Sequence, residues 1–126
     1  DINQMADIIK GTPEGFLVLS GDDSMTVPLM ALGGVGCISV VANQIPKEFS
    51  QMVSAALKGD WGTARTMHFE WLDLMQINFI ESNPIPVKAS LAEMRKIQEV
   101  YRLPMCKITD KNREALVQVL KRHQLI

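Results

Sequence analysis

The sequence is poor in the residues that build metal, redox and disulfide sites. Its 126 residues include only two cysteines and two histidines, and no His, Cys, Asp or Glu recur at the spacing of a metal site. Because Cys37 and Cys106 are the only cysteines, a secreted scaffold built on disulfides is disfavoured and a reducing cytoplasm is predicted. We expect neither a metal nor a cofactor.

Strong net charge and long apolar segments are also lacking. Thirteen basic residues against 14 acidic residues give a net charge of −1, which offers no field to attract nucleic acid or an anionic membrane. The longest apolar runs, such as 16–19 and 38–42, fall far short of the roughly 20 residues of a membrane span. No signal-peptide pattern is present. The chain opens directly into a helical pattern at Asp1, which indicates a piece of a longer chain.

The first half of the sequence alternates helical and strand patterns. Asp1 is a good N-cap for a first helix. The apolar run Phe16–Leu19 and the β-branched run Cys37–Val41 are typical of strands buried on both faces, and Met25–Leu32 between them is typical of a helix. The connection between the strands is long enough for a crossover, so this order predicts a parallel βαβ unit in an α/β fold.

From Pro46 onward the sequence predicts only helices. Pro46 suits the first helical position, and Asp60 can cap a second, longer helix. The segment Ser82–Pro86 breaks that helix, Val87–Met94 indicates another, and Thr109 can cap the last. We therefore divide the chain into residues 1–59, which carry the strands, and residues 60–126, which form a helical domain.

Two doubly buried strands do not make a stable sheet. The strands need neighbours that these residues do not supply, so either other copies provide them or the chain is the C-terminal part of a larger parallel barrel or sheet. A complete barrel of alternating strands and helices takes roughly 250 residues. This chain would then be about half of one.

The polar segment Ser20–Asp23 follows directly on the first strand. Ligands of α/β folds bind at that edge of the sheet, and Gly21 would let a ligand approach the backbone closely. The alternative is an ordinary strand-to-helix turn in which Asp23 or Ser24 caps the helix, and for the segment alone that alternative is favoured.

The second strand ends near Asn43, and the two strand ends share one edge if the strands are parallel. Gly21, Ile38 and Asn43 would then line one pocket, although a buried Ser39 or Asn43 more often satisfies a neighbouring backbone group. The glycine-rich run Gly33–Gly36 precedes a strand rather than following one, which favours a helix stop over a phosphate loop. His68 lies near an apolar stripe and is interpreted as a packing residue.

Four segments together are similar to one known family. The segments 17–23, 33–43, 81–88 and 102–109 resemble, in order and spacing, the seventh strand, the eighth strand, the C-terminal helical signature and the tail of the dihydrodipicolinate synthase (4-hydroxy-tetrahydrodipicolinate synthase) family. The resemblance implies the last two strands of a (β/α)8 TIM barrel followed by a C-terminal helical domain. It also implies a homotetramer built as a dimer of dimers.

The resemblance further implies an activity and a set of site residues. The family condenses pyruvate with aspartate semialdehyde through a Schiff base, in diaminopimelate and lysine biosynthesis. Gly21 and Ile38 match residues that border or contact pyruvate, and Asp22 and Asp23 lie beside that pocket. No residue of this chain matches a catalytic one, because the Schiff-base lysine and the relay tyrosine are expected upstream of Asp1, in the remaining N-terminal half of the barrel.

Two alternatives stay open at this point. N-acetylneuraminate lyase and other pyruvate aldolases of the same superfamily share the pyruvate half-reaction, and the residues that select the aldehyde are not in this chain. A non-enzymatic helical assembly module would also explain the apolar stripes between Phe49 and Phe79.

Overall fold

The computed structural model describes all residues from Asp1 to Ile126. Two short strands alternate with helices in the first half, and the second half is helical. The strands are β1 (Leu19–Ser20) and β2 (Gly36–Cys37), and the helices are α1 (Ile2–Gly11), α2 (Thr26–Ala31), α3 (Pro46–Leu57), α4 (Trp61–Ile77), α5 (Ile85–Glu93) and α6 (Asp110–Arg122). Single 3-10 turns precede α2 at Asp23–Met25 and α3 at Val41–Asn43.

The two strands pair in parallel, as the βαβ prediction requires. Leu19 lies opposite Gly36 and Ser20 lies opposite Cys37. Both strands are shorter than predicted, so the assignments of Phe16–Leu19 and Cys37–Val41 were wrong in extent. Each strand has a single hydrogen-bonding partner. The chain after Cys37 soon enters a 3-10 turn, whose amides bond Asp23 or nearby residues instead of a neighbouring strand.

The apolar side chains of the strand region are not buried by this chain. Phe16 and Leu17 are 62% and 65% exposed, and Ile38 is 76% exposed. Burial on both faces is therefore not supplied by residues 1–126, and the predicted cover from further barrel strands stays a prediction. Ser20, on the opposite face of β1 from Leu19, is buried, and β1 packs against α2.

Helix α2 ends in a Schellman motif that explains the paired glycines after it. The amide of Gly34 donates to the carbonyl of Leu29 at 3.0 Å, and the amide of Gly33 donates to Met30 at 3.1 Å. Gly33 has a φ of +113°, a conformation that glycine adopts at little cost. The prediction that Gly33–Gly36 stops a helix is thus confirmed.

The helical caps are partly as predicted. The side chain of Asp1 accepts a hydrogen bond from the amide of Asn3, and that of Asp60 accepts one from Thr63. Thr109 precedes α6, but its hydroxyl makes no cap bond to the helix. The carboxylate of Glu81 takes that place instead, since it accepts from the backbone amide of Thr109 at 3.0 Å.

One continuous hydrophobic core joins the two halves of the chain. It contains 12 buried residues, which come from the segment after β2, from α3, from the three later helices and, as Ile108, from the loop before the last of them. Helix α3 packs along α4 across the turn at Gly59–Asp60, where we divided the chain. The members of this core are Val41, Ile45, Phe49, Met52, Leu74, Met75, Ile85, Ala89, Ile108, Leu116, Val119 and Leu120.

None of the helices combines the length and the apolar character needed to cross a membrane.

We predict that Gly34→Ala destabilises the fold. A Cβ at this position would lie 2.6 Å from Cγ and 3.1 Å from the carbonyl oxygen of Leu29. Leu29 is only 2% exposed, so its side chain cannot swing aside, and such overpacking costs about 1–3 kcal/mol. Urea unfolding of the protein that carries this chain measures the change. The control is Gly11→Ala, where no heavy atom lies within 4 Å of the new Cβ, and an equal effect of the two substitutions would contradict the prediction.

Candidate functional site

A cleft lies where the segments that follow the two strands meet the start of α5. It encloses about 530 Å³ and is open to solvent. The chain reaches it from three places: the end of β1, the segment after β2, and the loop between α4 and α5. The lining residues are Gly21, Ile38, Ser39, Val40, Asn43, Asn83, Pro84 and Val87.

The parallel pairing of β1 and β2 brings the first two walls together. Ile38 donates its backbone amide to the carbonyl of Ser20 at 2.9 Å, which continues the ladder by one bond beyond the strands. Gly21 follows Ser20 directly, so it lies beside Ile38 at the carboxyl edge of the pair. The structure thus places Gly21, Ile38 and Asn43 on one cleft, as the sequence predicted from a parallel arrangement.

Asp23 is completely buried. It follows Gly21 in the first wall, and its side chain bonds the backbone of the second wall. One oxygen of its carboxylate, Oδ2, accepts hydrogen bonds from the backbone amides of Val41 at 2.8 Å and Val40 at 3.2 Å. The other oxygen, Oδ1, lies 3.6 Å from the Sγ of Cys37. Asp23 is 0% exposed. Its carboxylate is paired within the protein and is not among the groups that line the cleft.

Burial, together with the neighbouring charge of Asp23, raises the pKa of the Cys37 thiol to about 11. Cys37 therefore stays protonated at neutral pH, which suits its position as a weak donor toward Asp23 and excludes it as a ready nucleophile.

Asp22 caps the turn that precedes α2, so the predicted caps Asp23 and Ser24 were wrong. Its Oδ1 accepts from both the amide and the hydroxyl of Ser24 at 2.8 Å. The side chain is exposed and borders a second cavity of about 310 Å³, between β1 and α1, which Gly21 also lines. Asp22 therefore lies beside Gly21 but on the far side of it from Ile38.

The polar side chains of the second wall mostly support its own backbone. The hydroxyl of Ser39 accepts the amide of Ala42 at 2.9 Å, and the side-chain amide of Asn43 donates to the carbonyl of Val40 at 2.9 Å. These bonds stabilise the 3-10 turn of the second wall. Ser39 and Asn43 therefore satisfy neighbouring backbone groups, the alternative to ligand binding that the sequence analysis named for both.

The third wall comes from the helical half, and the sequence did not predict its place in the site. Asn83, in the loop between α4 and α5, lines the cleft with Pro84 and Val87. The sequence carries one signal for it, a polar residue directly before Pro84, between the end of one helix and the start of the next. That signal says nothing about which part of the first half the loop faces.

Glu81 anchors this third wall to α6. Its Oε1 accepts from the hydroxyl of Thr109 at 2.7 Å and from the side-chain amide of Asn112 at 2.8 Å, as well as from the amide of Thr109. These hydrogen bonds lower the pKa of Glu81 below its ordinary value, and the bond from Asn112 has the largest effect. The negative charge also lies at the N-terminus of α6, where the helix dipole favours it.

A second groove adjoins the cleft at Pro84. The ammonium of Lys88 bonds the carbonyl of Val100 and lies 5.2 Å from the centre of the Tyr101 ring. The Tyr101 hydroxyl, with its single proton, lies within hydrogen-bonding distance of both the Glu99 carboxylate at 3.0 Å and the carbonyl of Ile85 at 3.2 Å. Burial, followed by the bond to Glu99, raises the pKa of Tyr101 to about 12, so this hydroxyl stays protonated near neutral pH.

His68 behaves as a packing residue rather than a ligand, but an imperfectly satisfied one. Its Nδ1 is buried without a hydrogen-bond partner, and burial lowers the pKa of its ring. No group of three or more His, Cys, Asp or Glu side chains is arranged to hold a metal ion.

The cleft offers shape and neutral polar groups rather than acid–base chemistry. None of its eight lining residues carries an ionisable side chain. Backbone amides and carbonyls, together with Asn43 and Asn83, are the groups that can orient a small polar ligand there.

The dihydrodipicolinate synthetase family model matches residues 1–123. The chain is 55% identical over 116 residues to 4-hydroxy-tetrahydrodipicolinate synthase of Koribacter versatilis, which covers 92% of this chain but 39% of that protein. It superposes with a TM-score of 0.95 and 42% identity on the dihydrodipicolinate synthase of Aquifex aeolicus, covering 99% of this chain and 43% of that one.

A third similar structure is the chloride-inhibited dihydrodipicolinate synthase of Acinetobacter baumannii crystallised with pyruvate, at a TM-score of 0.94 and 38% identity, covering 100% of this chain and 43% of that one. The chain thus spans about two fifths of the length of these relatives. Because the solved relatives are TIM-barrel enzymes, the predicted fold class, part of a (β/α)8 barrel followed by helices, is confirmed.

We predict that the anchor at Glu81 contributes stability that depends on pH. Since the folded pKa is lowered, the contribution is present above the ordinary pKa and is lost as the pH falls below about 5. Glu81→Gln keeps an oxygen acceptor but removes the charge, so its unfolding midpoint in urea should lie below that of the unsubstituted protein at pH 7 and approach it at low pH. Glu81→Ala removes the acceptor too and should cost about 1 kcal/mol. If the unfolding midpoints of Glu81→Gln and of the unsubstituted protein differ by the same amount at every pH, this account is refuted.

Proposed function

The chain belongs to the dihydrodipicolinate synthetase family, and on this premise we propose that the protein carrying it is a 4-hydroxy-tetrahydrodipicolinate synthase, a lyase of the pyruvate-dependent aldolase type. The observation that carries the proposal is the meeting of Gly21 and Ile38 on one cleft, at the carboxyl ends of two parallel strands. Ligands bind at that edge in parallel α/β barrels, and a relative with 38% identity was crystallised with pyruvate.

The proposed reaction condenses pyruvate with aspartate semialdehyde, in the route to diaminopimelate and lysine. A lysine amine attacks the keto carbon of pyruvate, and water leaves as the imine forms. The imine accepts the electron pair left when the pyruvate methyl group loses a proton, and the resulting enamine carbon attacks the aldehyde. Such a lysine must be partly desolvated so that it is a neutral nucleophile near pH 7.

Within this chain, Gly21 and Ile38 are proposed to contact pyruvate. Gly21 has open space where a Cβ would be, so a ligand can approach its backbone closely. Ile38 presents its backbone at the opposite wall. Asp22 and Asp23 are proposed to shape the pocket from behind, Asp22 through its cap and Asp23 through its bonds to the second wall.

The Schiff-base lysine and the proton-relay tyrosine are proposed to lie outside this chain. No lysine lines the cleft. Lys88 bonds a carbonyl of the adjoining groove, and the hydroxyl of Tyr101 is committed to Ile85 and Glu99. Further strands of the barrel, which would also cover Phe16 and Leu17, are the proposed source of both groups.

The wider setting is proposed on the same basis. The division at residues 59 and 60 rests on the change from strands to helices along the chain. Assembly as a homotetramer rests on the family resemblance, and a cytoplasmic location rests on the low cysteine content. The match to a family of synthases makes the alternative of a non-enzymatic helical module the weaker one.

Trapping of the imine tests the proposal. We expect the whole protein, treated with pyruvate and borohydride, to gain the mass of one reduced pyruvate adduct, and we expect peptide mapping to place it outside residues 1–126. Coupled assays with aspartate semialdehyde and with N-acetylneuraminate then separate the synthase from a sugar-acid lyase. An adduct on a lysine of this chain, or turnover of N-acetylneuraminate alone, would disprove the assignment.

Substitution of Gly21 tests its place at the pyruvate pocket. Gly21→Leu should leave stability within about 1 kcal/mol, because nothing lies within 4 Å of the new Cβ, but the side chain should occupy the cleft. We expect the KM for pyruvate to rise roughly 10-fold or more, with a smaller rise for Gly21→Ala. Gly11→Leu, also in open space and remote from the cleft, is the control. Unchanged pyruvate kinetics in Gly21→Leu would remove this residue from the site.

A further inference from the structure

The carboxylate of Asp23 is the one buried charged side chain that connects two walls of the cleft. It belongs to the segment after β1, and both backbone amides that it accepts belong to the segment after β2. Its exposure is 0% within residues 1–126 alone, so contacts with further parts of the protein can only leave it equally buried. The arrangement is therefore a property of this chain itself.

The two amides are those that a 3-10 turn leaves unpaired at its start. Val41 begins the turn Val41–Asn43, and Val40 precedes it without a side chain able to cap it. Such amides need an acceptor when they are removed from water. Asp23 supplies that acceptor from a different part of the chain, so that the position of the turn depends on the position of the Asp23 side chain.

The turn and the segment before it form the second wall of the cleft, from Ile38 to Asn43. Ile38 and Val40 make few other backbone bonds: Ile38 donates to Ser20, and the carbonyl of Val40 accepts from the side chain and backbone of Asn43. The bond at Ser20 holds the start of the wall, and the bonds at Asp23 hold its middle.

We propose that Asp23 is a positioning residue, which sets the distance between the Gly21 wall and the Ile38 wall and thereby the fit of the keto acid. The proposal rests on the proposed function for the identity of the ligand. Asp23 acts through the backbone of Val40 and Val41 and does not itself touch the substrate.

The geometry predicts a graded series of variants. Both amides bond to the same oxygen, Oδ2. Asp23→Asn can therefore keep both bonds by placing its carbonyl oxygen there, with its NH2 group toward the sulfur of Cys37. Asp23→Glu keeps the charge but moves the acceptor by one methylene, and Asp23→Ala removes the acceptor.

The test measures pyruvate kinetics and amide exchange in the whole protein. We expect Asp23→Ala and Asp23→Glu to lower kcat/KM for pyruvate roughly 10- to 100-fold, with the KM for the aldehyde changed by less than about 2-fold, and to speed hydrogen exchange at Val40 and Val41. Asp23→Asn should remain within about 3-fold of the unsubstituted protein. Asp60→Asn, at the exposed cap of α4 and outside the cleft, is the matched control and should not alter pyruvate kinetics.

The outcomes separate this proposal from the proposed function. The positioning role is overturned if Asp23→Glu folds and changes neither the pyruvate kinetics nor the hydrogen exchange at Val40 and Val41. This variant decides the question if Asp23→Ala does not fold. If the unsubstituted protein forms no pyruvate adduct, the proposed function fails. Amide exchange in the variants then still decides whether Asp23 holds the second wall.

Discussion

The shared hydrophobic core between the segment after β2 and the helices from α3 to α6 is the constraint on which the site depends. Val41 and Ile45, directly behind the second wall, are buried in the same cluster as Ile85 and Ala89 of α5. Burial of such side chains contributes roughly 1.5–3 kcal/mol each, so the helical half cannot move away from the strand edge cheaply. The cleft exists because this core seats the start of α5 opposite Gly21.

Buried polar contacts then determine how the packed parts align. Hydrophobic contact is not directional, whereas hydrogen bonds are. Asp23 ties the two strand ends together, and the side-chain amide of buried Asn78 donates to Gln44 at 2.7 Å, which links the end of α4 to the segment before α3. Glu81 does the same between the α4–α5 loop and α6. Each of these bonds joins segments that are far apart in the sequence.

The local structure was largely predictable from the sequence, and the errors have clear physical causes. Asp1, Pro46, Asp60 and the glycines after α2 act through neighbours within a few residues, so their roles follow from local rules. The strands Phe16–Leu19 and Cys37–Val41 were overestimated because strand length depends on the partners available for backbone pairing. The cap of α6 was assigned to Thr109 because the acceptor that replaces it, Glu81, lies 28 positions away.

What the sequence by itself determined is the order of the elements, the parallel βαβ unit, and the placing of Gly21 and Ile38 at one edge, since periodicity and strand direction are local properties of the chain. Only the tertiary structure decided that Asn83 forms the third wall and that Asp23 faces inward to bond backbone amides while Asp22 faces solvent. Both depend on how helices pack across the end of the strands. Adjacent residues of the same type, such as Asp22 and Asp23, differ in role only through what the folded chain places next to each of them.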